Sequence, residues 1–191
     1  WVTKKMMGEV SIPLITTNRI NTPEIAEKIL ANGHANMVSL ARPFLADPNF
    51  VKKAIEGKSD EINTCIACNQ ACLDHVFKRK IASCLVNPIA CHETEITLSN
   101  TKSAKKIAVV GAGPAGLAFS TTAAERGHKV TLFDKSNEIG GQFNLAKQIP
   151  GKEEFHETLR FYNKMIEKHG VELKLNTKFE SADASGFDEV I

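Results

Sequence analysis

Apolar residues in the first part of the chain come in short blocks separated by polar turns. Ile12-Pro13-Leu14-Ile15-Thr16 is too short for a helix and runs into the polar turn Thr17-Asn18-Arg19, which predicts a buried strand. Thr22 then offers an N-cap hydroxyl, Pro23 suits the first helical position, and Ile25, Ala26, Ile29 and Leu30 form one apolar stripe that ends near Gly33. A helix of about ten residues is expected there. Asn36 to Leu40 reads as the next strand, Ala41-Arg42-Pro43 as its exit loop, and Asp47-Pro48 as the cap of a helix closing near Gly57. Two strands about 24 residues apart, joined by a helix, predict a parallel βαβ unit with a right-handed crossover. Such a pair cannot hide both of its faces, so it is expected to belong to a larger parallel sheet or barrel.

Between Ser59 and Ser103 the periodicity is poor, and all five cysteines fall in this stretch. It reads as an irregular segment that needs a cross-link. The pattern returns at Lys105, where a second domain is expected to begin. It predicts a strand over Ile107–Val110, a glycine turn, a helix to about Arg126 and a strand over Lys129–Phe133. A helix from about Glu153 to His169 places Phe155, Leu159, Tyr162 and Ile166 on one face, and Val171–Leu175 alternates as a half-exposed strand. Phe187–Ile191 reads as an apolar strand only begun, and the first residue is Trp1. Both ends are therefore expected to lie within a longer polypeptide.

With 42% hydrophobic and 24% charged residues the chain has the balance of a globular protein, which excludes a disordered tail, a collagen-like fibre and a disulfide-dominated miniprotein. Its 191 residues leave room for one domain and much of another. A net charge of +2, from 24 basic and 22 acidic residues, is spread over both halves, so no nucleic-acid partner is indicated. No apolar run approaches the roughly 18 residues of a membrane span, and no charged start followed by an apolar stretch reads as a signal peptide. A soluble, cytoplasmic protein with no membrane partner is expected.

Chemistry concentrates in three places. Cys65, Cys68 and Cys72 fall within eight residues and Cys84 arrives from beyond a loop. Four thiolates so spaced can take the corners of a 4Fe–4S cluster. The run lacks the paired CxxC and CxxC arrangement of a structural zinc site, and disulfides are disfavoured in a chain with no export signal. Zinc and free or disulfide-linked thiols stand as the alternatives. Cys91 is left over and reads as a small buried hydrophobe.

Gly111-Ala112-Gly113-Pro114-Ala115-Gly116 directly follows an apolar strand and opens a helix. Gly111 allows the tight turn, Gly113 lets the backbone approach a pyrophosphate, Gly116 lets helix and strand pack closely, and the helix N-terminus supplies N–H groups and positive dipole. Asp134 follows 23 residues after Gly111, where a carboxylate accepts from ribose hydroxyls and repels a 2′-phosphate. FAD or NAD is expected here rather than NADP, against the alternative of a tight turn that holds nothing. The third place pairs Arg19 after the first strand with Ala41-Arg42 after the second. In an eight-stranded α/β barrel the last two such loops commonly hold a phosphate, although either Arg would serve equally in a surface ion pair.

Several stretches, taken in order, resemble one family: Thr16–Pro23 (TTNRINTP), Ala41–Pro48 (ARPFLADP), Cys65–Cys72 (CIACNQAC), Ser83–Pro88 (SCLVNP) and Glu138–Phe143 (EIGGQF). They resemble the bacterial NADPH-dependent 2,4-dienoyl-CoA reductases, which group with trimethylamine dehydrogenase on an old yellow enzyme-like barrel. Gly140–Lys152 (GGQFNLAKQIPGK) looks especially close to the dienoyl-CoA reductase branch. The resemblance implies an α/β chain in three parts. Residues 1–57 would be the last two βα units of an FMN-binding TIM (β/α)8 barrel, 58–104 a 4Fe–4S segment and linker, and 105–191 a truncated Rossmann-like FAD-binding domain. It further implies a relay in which NADPH reduces FAD, the cluster passes electrons singly to FMN, and FMN reduces a 2,4-dienoyl-CoA. Carried over by position, Cys65, Cys68, Cys72 and Cys84 would ligate iron. Arg19, Ala41 and Arg42 would hold the FMN phosphate, and Gly111, Gly113, Ala115, Gly116, Asp134, Gly141, Gln142 and Lys152 would line FAD. Six barrel strands, the family's Tyr and His proton donors and its NADPH domain have no counterpart in the chain, so it is expected to be inactive alone. A related amine dehydrogenase or enoate reductase, or a non-catalytic zinc and nucleotide module, would share the same signals.

Overall fold

Residues 1–191 are described by a computed structural model, in which the backbone falls into two units, Trp1–Glu93 and Thr94–Ile191. The first contains α1 (Val2–Met6), β1 (Ile15–Thr16), α2 (Pro23–Ala31), β2 (Met37–Val38), α3 (Arg42–Ala46), α4 (Phe50–Ile55), a 3₁₀ turn at Ser59–Glu61 and α5 (Leu73–Phe77). β1 and β2 pair in parallel, Ile15 beside Met37 and Thr16 beside Val38, and α2 forms the crossover. Its cap is the expected one, with the Thr22 hydroxyl accepting from the Ile25 N–H at 3.4 Å.

Burial departs from expectation in this unit. Ile12, Ile15 and Met37 are exposed, and α2 contributes no buried residue. The expected buried strand is thus a two-residue strand with an open apolar face, because two strands and one helix leave nothing to cover it. Apart from Ile20, Asn21 and Ala35, the buried residues gather instead in α3, α4 and the irregular stretch after them, among them Ala46, Phe50, Ile62, Thr64, Ile66, Ala71 and Ala90. The expected exit loop at Arg42-Pro43 is the first turn of α3. Proline fits that turn because its missing N–H would have no helical partner there.

The second unit contains β3 (Lys106–Val110), α6 (Pro114–Glu125), β4 (Lys129–Phe133), α7 (Phe143–Ala146), α8 (Phe155–His169), β5 (Glu172–Lys174), a 3₁₀ turn at Ser181–Gly186 and β6 (Glu189–Val190). It begins before Lys105, since the Thr101 N–H bonds the Arg126 carbonyl at 2.8 Å. Its sheet is wholly parallel in the order β5-β4-β3-β6. In that order the unit's first strand sits between its second and fourth, so the direction of winding reverses beside β3, and in such sheets ligands bind beyond the carboxyl end of the strands at that reversal. Ile107, Val109, Leu117, Val130, Leu132, Leu159 and Ile166 fill the core. The apolar face expected on α8 is the one it buries, with Tyr162 packed at its margin. Gly170 ends that helix at φ +67°, and the Val171 N–H reaches back to the Ile166 carbonyl at 3.0 Å, which satisfies a carbonyl the helix leaves open. No helix is long and apolar enough to cross a membrane.

The turn after β3 is fixed by one steric fact. A Cβ on Gly116 would lie 1.9 Å from the Gly111 carbonyl oxygen, which is backbone and cannot swing aside. Gly116→Ala is therefore expected to cost about 3 kcal/mol, the upper part of the overpacking range. Chemical denaturation followed by far-UV circular dichroism measures this, and an unchanged midpoint would show that the turn yields freely.

Candidate functional site

Cys65 to Cys72 run without regular structure from a buried stretch into the first turn of α5. Ala67 and Asn69 hold positive φ values of 53° and 60°. These two left-handed residues fold the run back on itself, so that Cys65, Cys68, Cys72 and Cys84 all line one cavity, together with Arg42, Leu45, Ile66 and Asn69. Cys84 is brought there by the chain around it. The Ser83 N–H bonds the Ala71 carbonyl at 2.6 Å, the Asn63 side chain donates to the Val86 carbonyl at 2.6 Å, and the Asn87 side chain donates to the Leu45 carbonyl at 2.9 Å.

Burial raises the Cys65 and Cys84 thiols above the ordinary range. The Ala67 N–H and the Arg42 cation oppose this at Cys65, and the Val86 and Asn87 N–H groups oppose it at Cys84. N–H groups directed at sulfur stabilise thiolates and tune iron–sulfur centres, and metal ligation requires the thiolate form. All five cysteines are free, and no three His, Cys, Asp or Glu side chains are gathered closely enough to hold a metal ion. The four thiols that line this cavity are the donor set that a 4Fe–4S cluster would take, one thiolate on each iron. Cys91 is not the buried hydrophobe expected: it is exposed, at φ +64°, with its N–H on the Glu93 carboxylate at 3.0 Å, because it lies in a turn and not in the packed stretch.

Asp47, expected only as a helix cap, ties this region together. It is 3% exposed. Its carboxylate accepts from the Asn49 N–H at 2.9 Å, the Asn63 N–H at 3.0 Å and the Lys53 ammonium at 2.6 Å, and the same ammonium donates to the Glu61 carbonyl at 2.8 Å.

A second pocket opens at the carboxyl ends of β1 and β2, lined by Thr17, Asn18, Arg19, Ser39, Ala41 and Arg42 among others. Arg19 and Arg42 thus share the pocket assigned to a phosphate. Asn18 and Arg19 have φ values of 82° and 51°. The Arg42 guanidinium donates to the Asn18 side-chain oxygen at 3.0 Å and, through its other terminal nitrogen, to that of Asn69. Asn18 stands beside Arg19 in the loop that the sequence singles out and Asn69 sits inside the cysteine run, but the sequence pattern assigns neither side chain a partner.

In the second unit the glycine loop is held by backbone and carboxylate hydrogen bonds. The Gly111 N–H bonds the Phe133 carbonyl at 2.7 Å and the Ala112 N–H bonds the Asp134 carboxylate at 2.6 Å, whose other oxygen accepts from the Ser136 N–H at 2.7 Å. Partial burial alone would raise the Asp134 carboxyl, but the Ser136 and Ala112 donors outweigh it and hold it below its ordinary value. A carboxylate has about four acceptor positions, so ribose hydroxyls can still be received. A second glycine pair docks on the first: the Gly140 N–H bonds the Ala112 carbonyl at 2.7 Å, and a Cβ on Gly141 would stand 3.3 Å from the Gly113 Cα. Ala115 lies in the first turn of α6 and Gln142 caps α7. The Lys152 ammonium sits 4.7 Å over the Phe155 ring, which stacks on Phe143.

Comparison with known proteins places these sites in a context. Residues 2–61 match the NADH:flavin oxidoreductase / NADH oxidase family, and residues 109–163 match the NAD(P)-binding Rossmann-like domain. The chain is 47% identical over 169 residues to a metal reductase of Desulforamulus reducens, covering 88% of this chain and 25% of that protein. It is 40% identical over 183 residues to a bilirubin reductase of Mediterraneibacter gnavus, covering 95% and 28%. A solved structure of 2-naphthoyl-CoA reductase in complex with 2-naphthoyl-CoA superposes with a TM-score of 0.92 at 37% identity, over 96% of this chain and 28% of that one. The chain spans about a quarter of the length of the relatives it matches. It is related to flavin-dependent oxidoreductases that include enoate reductases and amine dehydrogenases. The relationship extends to this broad group and is not specific to dienoyl-CoA reductases.

Two outcomes test the local chemistry. Asp47→Ala strands the partly buried Lys53 ammonium and removes three acceptor bonds, so a loss of about 3 kcal/mol is expected, the low end for breaking a buried pair. Urea denaturation measures it, and a loss within 1 kcal/mol, the scale of a surface pair, would reduce Asp47 to a surface role. Asp134 has a depressed folded-state pKa, so its contribution to stability is present above the unfolded value and lost as pH falls through the folded one. The acid-induced fall in unfolding midpoint should therefore be smaller in Asp134→Asn than in the parent chain, and equal falls in the two would remove the carboxylate from the account.

Proposed function

We propose that the chain is the electron-transferring segment of an NADPH-dependent flavoprotein reductase. In this reading FMN is held by the first unit, a 4Fe–4S cluster by Cys65, Cys68, Cys72 and Cys84, and FAD by the second unit. The observation that carries the proposal is the single cavity lined by cysteines from two separate stretches of chain, next to a pocket with two arginines. When bound, these groups supply conversion of a two-electron hydride donor into one-electron steps and back again.

The chain's own residues hold and tune the groups. Ala67, Val86 and Asn87 direct N–H groups at the ligand sulfurs. Arg19 and Arg42 offer guanidinium donors to the FMN phosphate, with Ala41 between β2 and α3. Gly111, Gly113, Ala115 and Gly116 present the start of α6 to a pyrophosphate, Asp134 receives the ribose, and Gly141, Gln142 and Lys152 border the flavin side. The residue boundaries 1–57, 58–104 and 105–191 are proposed as the FMN, cluster and FAD portions.

The substrate is proposed to be a 2,4-dienoyl-CoA, in fatty acid breakdown. The Gly140–Lys152 stretch and the likeness to a reductase bound to an aromatic CoA thioester support an unsaturated thioester. Amine dehydrogenation is the second reading, favoured by the kinship with amine dehydrogenases, and the identities of 47% and 40% to proteins named as reductases weigh toward reduction. In a holoenzyme carrying this segment, NADPH oxidation should depend on the dienoyl-CoA. Amine-dependent dye reduction without it would favour the second reading.

Anaerobically reconstituted chain should hold about four irons with a brown absorbance, and Cys84→Ser should lose most of that iron while the fold persists. Stoichiometric zinc without iron would overturn the proposal.

A further inference from the structure

Arg42 is the one residue that lines both the cysteine cavity and the pocket at the ends of β1 and β2. Its two terminal nitrogens point to different segments: one donates to Asn69, between Cys68 and Cys72, and the other to Asn18, at 3.0 Å in the loop that borders the second pocket. The guanidinium keeps further N–H donors for an anion after these two bonds, since it carries five. Its charge is also felt at Cys65. The cation is half-buried, where screening by salt is weaker than at the surface.

The geometry points to Asn69 and Arg42 as a positioning pair that couples the two sites, so that anion occupancy of the β1/β2 pocket and the redox state of the cluster influence each other. This inference rests on the cluster reading above. A phosphate dianion on Arg42 offsets the positive charge that faces the cysteine cavity. One electron entering the cluster, with no proton or bond exchanged, is then opposed, and the potential falls. By linkage the reduced protein binds the anion more weakly by the same factor. Asn69 touches no anion in this scheme. It holds the guanidinium in the orientation that serves both sides, and its φ of +60° allows Gly to replace it without backbone strain.

The test uses the full chain with reconstituted cluster, titrated with dithionite and mediators under electron paramagnetic resonance, with and without inorganic phosphate. Phosphate is expected to bind the reduced protein about tenfold more weakly than the oxidised, equivalent at saturation to a fall of about 59 mV in a one-electron potential. Asn69→Gly and Arg42→Gln should each abolish that shift, and Arg42→Gln should also lower the potential measured without phosphate. Phosphate affinity by calorimetry gives a readout independent of the cluster, and Asn69→Gly should weaken it several-fold although the residue is not a phosphate ligand. A loaded wild-type cluster whose potential ignores phosphate overturns the coupling. So does an Asn69→Gly chain that binds phosphate as the parent does. Failure of the parent chain to take up iron would instead overturn the cluster reading, and the calorimetric comparison would still judge the Asn69–Arg42 pair.

Discussion

One buried carboxylate carries the first unit. Asp47 follows α3 directly, accepts from the residue before α4 and from Lys53 within α4, and receives the Asn63 N–H just ahead of the cysteines. A charge taken out of water is costly unless donors surround it, and here the donors come from the chain segments that must meet if Cys65 is to face Cys84. The Lys53 ammonium extends the arrangement to the Glu61 carbonyl. The cysteine run has no strand ladder and little helix of its own, so its shape is inherited from this ionic centre and from the asparagine side chains at 63 and 87.

The second unit is organised differently. Its frame is a four-strand parallel sheet closed by apolar packing, and its glycine loop is shaped by what glycine permits. Gly116 gives the Gly111 carbonyl room, and Gly140 and Gly141 bring a second loop against the first. The Ala112 N–H is used to seat Asp134, so the residue that would meet the ribose is preorganised by the loop that would meet the pyrophosphate.

Much of the second unit was legible because its periodicities are long and regular. The α8 stripe of Phe155, Leu159, Tyr162 and Ile166 and the Gly111–Gly116 turn between strand and helix follow from the pattern to within a few residues at their ends. The first unit was less legible for a physical reason. Ile12 and Ile15 look like core residues by composition, yet a two-strand sheet covers neither. Phe50 and Ile62 are core residues in chain segments tied together by donors to the Asp47 carboxylate, which no hydrophobic pattern encodes. The cysteine spacing announced a shared site, while the partners of Arg42 were hidden, since an asparagine between two cysteines gives no sign of which distant cation it will meet.

Asparagine occupies both left-handed positions that face Arg42, residues 18 and 69. The short amide tolerates that backbone region better than most side chains and also supplies the acceptor oxygen. Shape and charge are consequently separable at these positions. Glycine would retain the bend and discard the acceptor, whereas aspartate would retain both and add a negative charge beside the guanidinium. Two small exchanges thus let an experimenter adjust local polarity near the sulfurs while leaving the path of the polypeptide as it is.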